Sequence, residues 1–291
     1  MIWQDYRKLY SNALTQYSPK FKKELQKQVD TYCRTQDLNA ISDKSLKKTI
    51  KRLHVAMGTK MALIAEKDVK KATKGIYAPM EVKGTKTDLF TYVILQYLET
   101  KGLDQLASDI TDTTKDQIKR FLIQAQEQNL TTQETIDLLR VSGITNYRAE
   151  LIARTETARA ANVGSMVGAM ATGLVTVKEW IAARDNRTRR IPRDANDHLH
   201  MDGVKIPIDA KFQVTAKEYI DFMLHPGDST AHAGNVCNCR CTLGYEAVRG
   251  TDGKLMTLQN NPPMGDAGLI WNLLLNLSAM EISKLITEAL L

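Results

Sequence analysis

The sequence predicts a mostly α protein with a small α+β module towards its C-terminal end, and three observations carry that reading. Apolar residues recur at i, i+3 and i+4 through most of the first 140 residues. A long run from Asn146 to Gly173 is studded with Ala and Gly. Beyond Gly173 the pattern switches to β-branched alternation, followed by loop-like segments that hold most of the histidines and cysteines.

In chain order, Tyr6, Leu9, Tyr10, Ala13, Leu14 and Tyr17 mark a first helix over Trp3 to Tyr17. Pro19 then suits the start of a second helical run, where its missing N–H costs little. Leu46, Ile50, Leu53, Met57, Met61, Ile64 and Val69 define a helix over Lys44 to Lys74, stopped by Gly75. Ala78-Pro79 and Lys83-Gly84-Thr85 read as a loop. Thr87 to Leu98 is the next helix, ended by Gly102. A Thr-Thr-Lys-Asp cap predicts a helix start at Thr113, running to Asn129, and Thr131-Thr132-Gln133-Glu134 opens a short one. The small residues Ala153, Ala158, Ala160, Ala161, Gly164, Gly168 and Ala169 predict close approach of another backbone. Val175 to Ala182 reads as a strand and Arg184 to Pro207 as a loop. Lys211 to Val214 and Cys239 to Tyr245 are further short strands. Residues 249–265 form a linker to a C-terminal amphipathic helix, Asp266 to Leu291, whose stripe is Ile270, Leu273, Leu274, Leu277, Met280 and Leu285. Docking of that helix on its own body is favoured slightly over docking on a partner. The expected division is 1–103, a basic helical region; 104–248, helices followed by the α+β unit; and 249–291.

At 291 residues and 43% apolar, the chain can bury a sizeable core. No run of apolar residues is long enough to span a bilayer, and no secretory leader is visible, so synthesis in a cytoplasm is expected. Net charge is +7, unevenly spread: residues 1–75 hold 17 Lys/Arg against 7 Asp/Glu, whereas residues 136–291 are neutral. Lys20, Lys22, Lys23, Lys47, Lys48, Lys51, Arg52, Lys70 and Lys71 are therefore the candidate nucleic-acid contacts, with a solvated helical face as the equal alternative. The sequence lacks a phosphate-cradling Gly-rich loop, a G-x-S-x-G elbow and an H-E-x-x-H pair.

Four of the five histidines and three of the four cysteines fall between His198 and Cys241. Cys239 and Cys241 are two apart, so on a strand both thiols would share a face. Zinc takes four Cys or His ligands, although Cys-x-Cys-x-Cys is not a zinc-finger spacing. The candidate ligands are His198, Cys239 and Cys241, with His200 or an Asp as the fourth. The alternative is a pair of buried thiols beside a hydrogen-bonded histidine. Arg187, Arg189 and Arg240 offer forks to Asp185, Asp202 and Asp228, a structural network that would reinforce a thin core.

Six blocks occur in order: Ala153-Arg154-Thr155-Glu156 on a small-residue helix; Lys178 with Trp180; Asp185 with Arg187-Thr188-Arg189; His198 with Asp202-Gly203; Pro226 with Asp228; and Asn238-Cys239-Arg240-Cys241. Together they resemble the C-terminal module of the phage Mu protein F-like, or head morphogenesis, family. The resemblance covers about residues 104–245. It departs in an insertion, residues 190–197, which makes His200 a rival to His198, and in the extra Cys237. It implies a minor capsid protein of the virion, at the portal vertex or in the capsid interior, made in the bacterial host. Its implied partners are the portal or major capsid protein and double-stranded DNA, with no membrane and no catalytic mechanism. Two other readings stand beside it. One is a metal-dependent nuclease or toxin-like hydrolase using the His/Cys group; the other is a DNA-binding protein using residues 1–75.

Overall fold

The computed structural model describes residues 2–74, 85–276 and 286. Its elements run α1 (Ile2–Thr35), a 3-10 turn (Leu38–Ala40), α2 (Lys44–Ala72), α3 (Lys86–Thr100), α4 (Leu103–Glu127), α5 (Thr132–Val141) and α6 (Ile144–Met170). Then come β1 (Thr176–Ile181), β2 (Lys205–Pro207), β3 (Phe212–Thr215), β4 (Ile220–Met223), α7 (Ala233–Val236), β5 (Thr242–Ala247) and α8 (Gly265–Leu275). The predicted class, mostly helical with short strands around the His/Cys group, is the one observed.

The first helix is longer than its sequence suggests. α1 passes straight through Pro19, which lies exposed inside it, so Pro19 does not begin a second helix. An interior proline costs about 3 kcal/mol. The stripe Tyr6, Tyr10, Ala13, Tyr17, Phe21 and Leu25, buried on both sides of Pro19, offsets that cost. The cap at Thr113 is likewise overridden. α4 starts ten residues earlier, after Gly102 in the left-handed region, and Thr113 and Thr114 instead donate back to the carbonyls of Asp109 and Ile110. The cap at Thr131 holds as a reciprocal Thr131–Glu134 capping box. The loop expected around Ala78-Pro79 and Gly84 lies outside the described residues.

Helix α6 is the spine of the fold, packed mainly on α2 and α1. Its small residues are required there. A Cβ on Gly164 would fall 2.1 Å from the Gly58 carbonyl oxygen, and one on Gly168 would fall 1.9 Å from that of Ala62. The strands form a three-stranded antiparallel sheet β2-β1-β5, whose β5 packs alongside this spine, and a hairpin β3-β4. The short β2 lies where the sequence suggested loop, and β4 lies in a stretch with no predicted element. Trp180 of β1 is fully buried and meets the ring edges of His198 and Phe212 at 5.5 and 5.3 Å. Helix α8 docks on the body of the chain through Ile270, Trp271 and Leu274 against α3 and α6, and Asp266 pairs with Lys101 at 2.5 Å. The rest of the expected tail stripe, Leu277, Met280 and Leu285, lies outside the described residues. Among the described residues, no helix is long and apolar enough to cross a membrane.

Candidate metal centre

β5 begins only at Thr242, so Cys239 and Cys241 are not on a strand as expected; they lie in the turn before it. Asn238 adopts φ +61°, a left-handed conformation that asparagine tolerates. The turn then places the backbone N–H of Cys241 3.5 Å from Cys239 Sγ. α6 fixes this turn from behind: Asn238 N donates to Thr155 Oγ1 at 2.9 Å, and Asn162 Nδ2 donates to the Cys241 carbonyl at 3.1 Å.

His198 reaches the same point from the loop after β1. Its Nδ1 lies 3.5 Å from Cys239 Sγ and 3.7 Å from Cys241 Sγ, and all three residues are buried. The insertion does not displace it. The N–H groups of His198 and Leu199 both donate to the Arg189 carbonyl, so residues 190–197 bud out as a closed loop. His200, the rival ligand, is exposed, and its backbone N–H binds Asp197; it does not join the group. Cys237 also stays apart.

The two thiols are electrostatically unequal. The Cys239 thiol is drawn well below its ordinary range by the hydrogen bond from Cys241, against the opposing effect of burial, with His198 helping. Cys241 is pushed well up by the same hydrogen bond and by burial.

The six Arg and Asp residues expected to form one network are distributed over separate tasks. Arg240 is the ion-pair partner of Asp185, with Nη2 to Oδ1 at 2.7 Å, and holds that carboxyl well below the usual range. Arg187 is exposed; its backbone N–H, at 3.0 Å, binds Asp185. Arg189 donates to the Cys237 carbonyl. Asp202 pairs with Arg184, which the sequence reading passed over, and accepts the Ala182 N–H. Asp228 is buried and accepts from Leu224 N and from both Thr230 N and Oγ1.

Two buried polar groups escaped the sequence reading. Glu156, from the Ala-Arg-Thr-Glu block, is 2% exposed; it takes both bonds from Arg159 at 2.8 and 2.9 Å and lies 3.0 Å from His54 Nε2. This group forms the floor of a cavity of about 630 Å³ whose walls include Leu103, Leu106, Ile152 and His225. The sequence signal was a set of charged residues on a helix rich in Ala and Gly. Lys178 is also fully buried, with Nζ 2.9 Å from the Ile208 carbonyl and 2.7 Å from that of Leu224. Of the basic candidates, Lys20, Lys22, Lys23, Arg52 and Lys71 are exposed. Lys47, Lys48, Lys51 and Lys70 are half-buried, and Lys47, Lys51 and Lys70 are ion-paired with acidic residues.

A helical body carrying a small β unit, closed around a buried His/Cys group, defines the class of this chain. Residues 109–244 match the model of the family described as Phage Mu protein F like protein. No curated protein and no solved structure matches the chain.

Proposed function

We propose that this chain is a minor head protein of a tailed bacteriophage, acting in head morphogenesis at the portal vertex and carried in the virion. The match over residues 109–244 carries the reading. The matched stretch starts inside α4 and ends in β5, while α1, α2 and α3 precede it and pack on its spine. Those added helices and α8 give the module surfaces for a larger partner, the portal or the major capsid protein. In this role the His/Cys group is architectural, a zinc site that shapes the module. Co-sedimentation with procapsids tests the assignment. Full-length protein is expected to sediment with them, and a chain ending before α8 separates tail docking from docking through α1–α3. Absence of full-length protein from the procapsid fraction overturns the proposal.

Contact with packaged double-stranded DNA is the second part of the reading. It is supported by the exposed Lys20, Lys22 and Lys23 in a segment with ten excess positive charges. Charge reversal at these three should weaken filter-retained DNA and flatten its salt dependence. Unchanged retention removes α1 from the DNA surface.

A further inference from the structure

We infer that one zinc ion is bound by Cys239 Sγ, Cys241 Sγ and His198 Nδ1, and that Asn235 and Asp221 hold His198 in the metal-binding tautomer. The inference deepens the architectural role given above to the His/Cys group and rests on that role.

The tautomer follows from a chain of forced donors. Asp221 Oδ2 accepts from Asn235 Nδ2 at 2.7 Å, and its carboxylate also accepts His232 N at 3.1 Å and lies 2.7 Å from His232 Nδ1. A carboxylate can only accept, so the Asn235 amide is oriented with Oδ1 on its other side. That oxygen lies 3.1 Å from His198 Nε2, which must therefore carry the proton. The Nδ1 lone pair is left facing the two sulfurs. A ligating histidine with its second N–H on a fixed oxygen is the usual outer-shell arrangement of metal sites.

The distances fit an ion. Zinc bonds of about 2.3 Å to sulfur and about 2.05 Å to nitrogen give a tetrahedral S···N edge of about 3.6 Å. The observed edges are 3.5 and 3.7 Å. One nitrogen lone pair can accept a single S–H along its axis, whereas two near-equal sulfur distances suit a shared centre. Charge fits as well: two thiolates cancel Zn²⁺, leaving a neutral unit in a buried place. Among the described residues, no fourth His, Cys, Asp or Glu atom joins the set, so the fourth position falls to an oxygen from another source.

The test uses the full chain purified in reducing buffer. Metal analysis should find about one zinc per chain, and cobalt substitution should give tetrahedral d–d bands with thiolate charge-transfer absorption. Asn235→Ala should weaken zinc ~10–100-fold in chelator competition and shift the cobalt bands. His200→Ala should change neither. Cys239→Ser should abolish the charge-transfer band; if that variant does not fold, the wild-type spectrum and Asn235→Ala decide. Reduced thiols with less than roughly a tenth of an equivalent of metal overturn the inference, as does a Cys239–Cys241 disulfide in the protein as isolated. Wild-type affinity in Asn235→Ala overturns the positioning role. Metal-free protein that still sediments with procapsids sinks only the zinc site; metal-loaded protein that does not sediment sinks only the head-protein reading.

Discussion

Gly164 of α6 lies against Gly58 of α2 at a distance that leaves no room for a side chain. A Cβ at 164 would be 2.1 Å from the Gly58 carbonyl oxygen, and that oxygen belongs to the backbone, which cannot swing away. The same holds one turn on, for Gly168 over Ala62. Gly164→Ala should force the two helices apart and cost at least ~3 kcal/mol, the upper end of overpacking penalties, in chemical denaturation. The higher helix propensity of Ala returns only about 1 kcal/mol. A variant as stable as wild type would mean that α2 and α6 pack differently.

This contact was legible in the sequence because a run of Ala and Gly on a helix has few other uses. The Thr131 cap was legible for a similar reason: both halves of the capping box lie within four residues. What escaped depends on distance along the chain. Nothing local distinguishes Thr113, which bonds back to its own helix, from a true cap. Pro19 reads as a helix start until the packing on both sides of it is known. Glu156 and His54 are 102 residues apart, and only the α2–α6 packing makes them neighbours. The His/Cys group was visible as a composition cluster. The choice of His198 over His200 required the closed loop at Arg189, and the His198 tautomer required Asp221.

Breaking the buried group at Glu156 should be costly. Arg159 and His54 both turn to this carboxylate, which is held below its usual range despite burial. Glu156→Ala leaves a buried guanidinium whose other hydrogen bond goes to the Gly227 carbonyl. Losing one member of such a pair costs about 3–5 kcal/mol. Glu156→Ala should therefore lower the denaturation midpoint far more than Glu150→Ala, which removes a surface pair one and a half turns away. Equal losses would show that the pair contributes no more than a surface bridge.

The ion pair at the module's edge separates two arginines that look equivalent in sequence. Arg240 grips Asp185 with two nitrogens, while the Arg187 side chain is exposed and acts on Asp185 only through its charge. Arg240→Ala should cost about 1–2 kcal/mol and Arg187→Ala less than about 0.5. Asp185 has a lowered folded-state pKa, so its contribution is present above the unfolded value near 3.8 and is lost as pH falls below it. Thermal melts at pH 7 should rank the two variants; a larger loss for Arg187→Ala would reverse the assignment.

Lys178 predicts a pH dependence of the same sense in a higher pH window, arising from a buried charge that opposes folding and not from an ion pair that supports it. Burial pulls its ammonium from an ordinary 10.5 down to about 7, with Asp209 and Asp228 opposing. Two carbonyls face Nζ, and a neutral amine still has two hydrogens to give them, so deprotonation need not break either bond. Between pH 7 and 10.5 the unfolded chain binds the proton that the folded chain has released, so stability rises with pH across this window. Below pH 7 the cost of charging is fully present. A shift of this size corresponds to a few kcal/mol, on the order of 1.4 per pH unit. Tyrosines such as Tyr97 and Tyr245, whose folded pKa values are raised by burial, lower stability above pH 10. The measurement is therefore the difference between wild type and Lys178→Met, followed by urea denaturation from pH 6 to 10. That difference should move steadily in favour of wild type from pH 7 upward and stay flat below it. A difference constant over the whole range would place the Lys178 ammonium in a setting that keeps its ordinary pKa.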